Sequence, residues 1–349
     1  MTAKIMTGNF FEDFRVGQRL VHATPRTVTV GDTALYQALY GSRFAVTSGE
    51  TFARGLGMER MPLDSMLVFH VVFGKTVPDV SLNAVANLGY AAGVFGAPVY
   101  PGDTLTTTSE VIGLKENSNG RTGVVYVHSV GVNQDGDTVL DYVRWVMVNK
   151  RDASAPAPEP VLPTLPDAVP VDKLVVPYTI DGYDTALAGS PFLWDDYEVG
   201  ERIDHVDGMT IEEAEHMMAT RLYQNTAKVH FNQHVEGQGR NGRRIVYGGH
   251  VISLARALSF NGLGNALSIA AINGGTHANP TFAGHTVYAW SEVLDRLELP
   301  GRSDVGALRL RTVATKDRAC ADYPLRGEDG KYLPEVVLDL DYTVLMPRR

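Results

Sequence analysis

Apolar and polar positions along this chain follow two different periods, and the order of those periods occurs twice. The segments DTLTTTSEVIGLKE (103–116), TGVVYVHSVGVNQDG (122–136) and TVLDYVRWVMVN (138–149) alternate apolar and polar side chains, the period of strands with one buried face. NSNG and QDGD separate them, a composition suited to tight hairpin turns. Elsewhere the spacing is helical. Ala214, Met217, Met218 and Leu222 share one face, and Thr210 with Glu213 has the spacing of a capping box. Val251, Leu254, Ala255 and Leu258 form a stripe in GGHVISLARALSF (248–260), whose counterpart is DSMLVFHVVFG (64–74). An apolar helix followed by a meander of long antiparallel strands predicts an α+β fold, with the sheet wrapped around the helix.

The two halves are copies. Residues 11–47 align with 194–230 without a gap, and nine of thirty-seven positions are identical, among them His22/His205, Leu39/Leu222 and Tyr40/Tyr223. Residues 98–111 match 280–293, and 138–148 match 336–346, in the same order. Between the copies, residues 152–170 hold six prolines in nineteen positions, which predicts a semi-rigid extended linker. The expected organisation is a first repeat over 1–151, a linker over 152–190 and a second repeat over 191–349, packed as a covalent version of a homodimer.

Composition narrows the function. With 44% apolar and 20% charged residues, the chain has the makeup of a globular protein. No run of eighteen apolar residues and no secretory signal pattern is present, so neither a membrane partner nor export is expected. One cysteine, Cys320, excludes an internal disulfide, and the expected compartment is the cytoplasm. A formal charge of −9 argues against a nucleic-acid partner. The densest basic spot is Arg240, Arg243 and Arg244 in GRNGRR.

The polar string LYQNTAKVHFNQH (222–234) and the following VYGGH carry a family likeness. They resemble the MaoC-like, R-specific enoyl-CoA hydratases, whose two-copy members form a double hot dog: two curled antiparallel sheets, each around a central helix. The family signature is Asp-x-Asn-Pro-x-His, followed by a glycine-containing start of the central helix. Here Asn225 stands at the Asp position and His230 at the His position, while Ala227 and Lys228 replace the Asn and Pro. Gly249 takes the oxyanion position. YGSRFAVTSGETFARGLGM, QNTAKVHFNQH and IVYGGHVISLARAL are further similar to the mesaconyl-CoA (2-methylfumaryl-CoA) hydratases, also called β-methylmalyl-CoA dehydratases. That resemblance spans almost the whole chain. It implies reversible hydration of a branched, carboxylate-bearing enoyl thioester, in the ethylmalonyl-CoA route of acetyl-CoA assimilation or the 3-hydroxypropionate bicycle.

The chemistry asks for a group that takes a proton from water and returns one to the α-carbon, and for a donor to the developing enolate oxygen. Histidine suits the first, and a backbone amide at a helix N-terminus suits the second. His230 and Gly249 fit these roles. At the positions of Asn225 and His230 the first copy has Ser42 and Thr47, so the second copy is expected to be the catalytic one. Asn225 cannot act as a base. Either His230 makes both transfers while Asn225 and Gln224 position the water, or a carboxylate elsewhere substitutes, with Glu50 the first choice and Asp64 and Glu236 behind it. Gln224, Lys228, Arg243, Arg244, Tyr247, Gly248 and His250 are expected to contact the acyl-CoA, and Arg243, Arg244 or Arg54 to meet its free carboxylate.

His22 and His205 read as structural, and His277 and His285 as pocket wall or surface. His234 and His250 lack a third ligand at suitable spacing, so no metal is expected. GLGNAL and INGGTHANP read as turns rather than phosphate loops, and no cofactor beyond the CoA thioester is indicated. The alternatives are a general R-specific enoyl-CoA hydratase, a hot-dog thioesterase and an inactive acyl-CoA binder. Self-association into a homo-oligomer is left open.

Overall fold

The computed structural model describes residues 4–349 apart from Arg240, so that member of the basic cluster lies outside the described residues. The first copy contains β1 (Arg19–Thr27), α1 (Val30–Tyr40), α2 (Ser65–Thr76), β2 (Ala84–Phe95), β3 (Thr104–Glu116), β4 (Thr122–Val132) and β5 (Thr138–Asn149). The second repeats the order with β6 (Arg202–Thr210), α3 (Glu213–Leu222), α4 (Gly248–Leu258), β7 (Ser268–Thr276), β8 (Thr286–Glu298), β9 (Val305–Lys316) and β10 (Val336–Pro347). All ten strands form one antiparallel sheet in the order β1-β3-β4-β5-β2-β7-β10-β9-β8-β6. This is the α+β double hot dog.

The strands are placed by their alternation. Along β5 the inward positions are Leu140, Tyr142, Arg144, Val146 and Val148, none more than 1% exposed. The central helices differ from the striped pattern seen in sequence. From Met66 to Thr76, and from Gly249 to Leu258, every residue is buried. Each helix has a curled sheet on one side and the other copy on the other, so no face is left for water. His22 and His205 do matching work, joining β1 to β3 and β6 to β8 through Ser109 and Ser291 at 2.7 and 2.8 Å.

Two expectations are corrected. Thr210 does not cap a helix: it ends β6, and its hydroxyl meets that of Thr286. The N-cap of α3 is Glu212, while in the first copy Thr29 and Asp32 do form a capping box. INGGT is not a turn but the end of β7, where Gly274 and Gly275 pair with Ala91 and Tyr90 of β2 at the seam of the two copies. Glycine is a poor strand former, yet a side chain at 275 would press on the Tyr90 ring. The residues after 152 do not simply span a gap. Val161 bridges to Leu114, Val169 donates its N–H to Asn273 Oδ1 at 2.9 Å, and Tyr178 is 4% exposed.

Candidate active site

Helix α3 ends at Leu222, and Gln224 turns the chain with a left-handed backbone, φ 52°. The turn lies so close to α2 that a Cβ on Gly74 would collide with the Tyr223 carbonyl. Asn225 follows, 4% exposed, and its Oδ1 accepts the Ala227 N–H at 3.0 Å. That bond orients the amide and leaves Nδ2 as a free donor among the described residues. A single turn, Lys228–His230, then carries His230. Its Nδ1 lies 2.9 Å from the Ile245 carbonyl. A carbonyl only accepts, so Nδ1 carries the proton and Nε2 presents a lone pair. Burial pushes this imidazole down to about 4, against the smaller upward pull of the carbonyl. His230 is neutral at pH 7.

His230 opens on a cleft of about 500 Å³, a size suited to a small-molecule site. The second copy contributes Asn225, Lys228, His230, Glu236, Tyr247, Gly248 and His277. The first copy contributes Phe73, Asn87, Tyr90 and Arg144. Helix α4 begins at the cleft with no side chain capping it, and the Gly249 amide has no hydrogen-bond partner among the described residues. Gly248 forms wall, and a Cβ there would collide with the His277 ring. His277 in turn bonds Tyr90 across the copies at 3.1 Å.

Several sequence candidates lie elsewhere. Glu50 is exposed, pairs with Arg54 at 2.7 Å and accepts the Met61 N–H, in a separate surface depression. It is not at the cleft. Gln224 is exposed and accepts from Lys75. His250 is 1% exposed and bonds Tyr40 at 2.9 Å, inside a polar network between the central helices that includes His70 with Ser253. Arg244 pairs with Glu213, Arg243 stacks on Phe282 at 4.2 Å, and neither lines the cleft. Of the three carboxylates weighed, Glu236 alone does. His285 bonds Asp317 and His234 is exposed. No group of three His, Cys, Asp or Glu side chains among the described residues is placed to hold a metal. Asn87, Tyr90 and Arg144 were missed. Arg144 left a signal: a charge in register with the inward residues of β5.

The equivalent place in the first copy is a cavity of about 60 Å³. Thr47 stands for His230, Asp64 for Tyr247 and Ser65 for Gly248. The Asp64 side chain caps α2, accepting the Met66 N–H at 2.8 Å, and Met66 stands for Gly249. Val175, Pro177 and Tyr178, from the stretch after the prolines, line this cavity.

Comparison with known proteins places the whole chain in one family. A sequence model described as mesaconyl-CoA hydratase matches residues 2–160. The β-methylmalyl-CoA dehydratase of Chloroflexus aurantiacus is 72% identical, with all of both chains covered. The mesaconyl-CoA hydratase of Cereibacter sphaeroides is 60% identical over 99% of this chain and 100% of its own. A solved MaoC-domain dehydratase from C. aurantiacus superposes with a TM-score of 0.99 at 72% identity, covering all of both chains. A double hot-dog protein of Mycobacterium tuberculosis, 24% identical over 97% of this chain and 99% of its own, shares the fold with a TM-score of 0.75. With two relatives matched along their full length at 60% identity or more, this chain belongs to the mesaconyl-CoA hydratase family of MaoC-like double hot-dog proteins.

Proposed function

We propose that this protein catalyses the reversible hydration of mesaconyl-CoA to β-methylmalyl-CoA. The observation that carries the mechanism is His230, its proton committed to Ile245 and its Nε2 lone pair open on the cleft, beside the uncapped start of α4. In the forward direction the Asn225 Nδ2 donates to a water oxygen, and His230 Nε2 takes a proton from that water. The hydroxide oxygen bonds to the β-carbon as the C=C opens, and negative charge moves to the thioester oxygen. The uncapped amides of Gly248 and Gly249, with the helix dipole behind them, stabilise it. The imidazolium then returns the proton to the α-carbon. Dehydration runs these steps backwards. His230 makes both transfers, and no cofactor is needed.

A thioesterase of this fold needs a carboxylate nucleophile or base on the active helix, and α4 has none. We further propose a cytoplasmic role in acetyl-CoA assimilation, by the ethylmalonyl-CoA route or the 3-hydroxypropionate bicycle. It rests on the resemblance alone.

The test is loss of enoyl-thioester absorbance with mesaconyl-CoA and crotonyl-CoA, for the wild type and His230→Ala. Rapid hydration of mesaconyl-CoA that the variant loses is the expected result. Preference for crotonyl-CoA makes this a general hydratase, and release of free CoA makes it a thioesterase.

A further inference from the structure

Among the described residues Arg144 is the one arginine lining the cleft. It is fully buried. Its guanidinium stacks on Phe73 at 4.2 Å and donates to Thr76 Oγ1 at 2.7 Å, Ser81 Oγ at 3.3 Å and Asn87 Oδ1 at 3.4 Å. Among the described residues its Nε has no partner, and neither does Asn87 Nδ2. No carboxylate pairs with Arg144 among the described residues. Burial lowers its affinity for the proton, but arginine begins so far above neutrality that it stays charged. A buried charge without a counter-ion costs several kcal/mol, and neutral oxygens with an aromatic face offset only part of that.

The other copy shows what is missing. Its closed cavity also holds a buried arginine, Arg256, at the position of Phe73. There the guanidinium lies over the Phe44 ring at 3.5 Å, and Tyr342 stands on the strand at the position of Arg144, so the cation has moved from the strand to the helix. Arg256 has an internal carboxylate acting on its charge, Asp64, which lines the same cavity. In the open cleft the position of Asp64 is Tyr247. The arginine of the open site has therefore been left without the anion that the closed site carries within the chain.

We infer that Arg144, with Asn87, forms the subsite for the free carboxylate of the substrate. This rests on the proposed hydration of mesaconyl-CoA and assigns its specificity. In that substrate the carboxylate is attached to the β-carbon, so holding it also sets the carbon to which water adds. The tight bond to Thr76 fixes the guanidinium, while the longer ones to Ser81 and Asn87 are weak enough to give way to an incoming carboxylate. A planar guanidinium donating to both oxygens of a carboxylate gives both charge and orientation. A plain acyl chain would leave the charge unpaired.

The experiment compares kcat/KM for mesaconyl-CoA and crotonyl-CoA in the wild type, Arg144→Met and Asn87→Leu, with thermal melts of each. The Ki of crotonyl-CoA as a competitor replaces its turnover if the wild type does not hydrate it. The expected result for Arg144→Met is a loss of about 100-fold with mesaconyl-CoA, within the range for truncating one partner of a buried, hydrogen-bonded charge pair, against a change within about threefold for crotonyl-CoA. Asn87→Leu is expected to lose about tenfold, in the same selective sense, a partial loss of one hydrogen bond to a charge. Equal losses for both substrates in folded protein would mean that Arg144 only ties down the end of α2, and would overturn the inference while leaving the function intact. If Arg144→Met does not fold, an unchanged substrate ratio in Asn87→Leu overturns it instead. A wild type inactive on mesaconyl-CoA overturns the functional reading, and this one with it.

Discussion

The two copies of this chain began with the same place for a ligand, and they now differ in almost every feature that place needs. In the open cleft His230 presents a lone pair, α4 starts without a cap, and about 500 Å³ is free. In the closed one Thr47 cannot titrate near neutrality, Asp64 caps α2, and Tyr178 with its neighbours leaves about 60 Å³. A helix N-terminus can stabilise an anion only while its amides are unused. The Asp64 carboxylate occupies in the first copy the donors that the second keeps for a substrate. The difference teaches that duplication let one site become scaffold while the other kept the chemistry. The scaffold copy still supplies the far wall of the cleft through Phe73, Tyr90 and Arg144.

The comparison can be broken most sharply at its centre. His230→Ala should lower kcat for mesaconyl-CoA by about 10²–10⁴-fold, the usual worth of a positioned acid–base group, while Thr47→Ala should leave kcat within about threefold; equal losses would remove the distinction between the copies. Next in size is Gly248→Ala. Its new methyl group must displace the His277 ring, and a shift of that scale should cost about 10²-fold in kcat, whereas Ser65→Ala should cost almost nothing. Tyr178→Ala, which empties the closed cavity, should lower unfolding free energy by about 3 kcal/mol in denaturant titration with kcat unchanged. A large fall in kcat there would show that the closed site takes part in catalysis.

Acidification should separate stability from chemistry in a smaller way. His70, His205 and His250 are each buried and held below the ordinary histidine value by desolvation, His205 at about 4 and His250 at about 3. The unfolded chain takes up these protons near pH 6.5 and the folded one does not. Stability is therefore fully present above about pH 6.5 and falls as pH drops from there towards 4, so the melting temperature should decline over that window; a flat profile would contradict the buried network. The smallest effect is expected from Glu236→Gln, within about threefold in kcat, because His230 makes both proton transfers; a loss comparable to that of His230→Ala, at the level of an acid–base group, would identify Glu236 as the second group.

Much of the site was legible because a duplicated chain carries its own control. The gap-free alignment of 11–47 with 194–230 sets His230 against Thr47 and Asn225 against Ser42, and both second-copy residues do line the cleft. Glu50 misled because closeness to the motif in the chain was taken for closeness in space. Its carboxylate is instead held at the surface by Arg54 and the Met61 amide. His250 misled for the opposite reason: it adjoins Gly249, but a helix turns neighbouring side chains about 100° apart, and this one faces Tyr40.

Strand period, helical stripes and the repeat follow from local spacing, so the α+β class, the two copies and the candidate base were determined by the sequence itself. Everything that depends on two distant segments meeting was decided by the tertiary structure. Gly274 and Gly275 become strand because β2 lies alongside them, and Arg144 reaches a cleft begun by the other copy because β5 curls around α2. The stretch after the prolines turns from linker to plug only where a vacant site accepts Tyr178. Local propensity carries no term for a partner several strands away; packing supplies it.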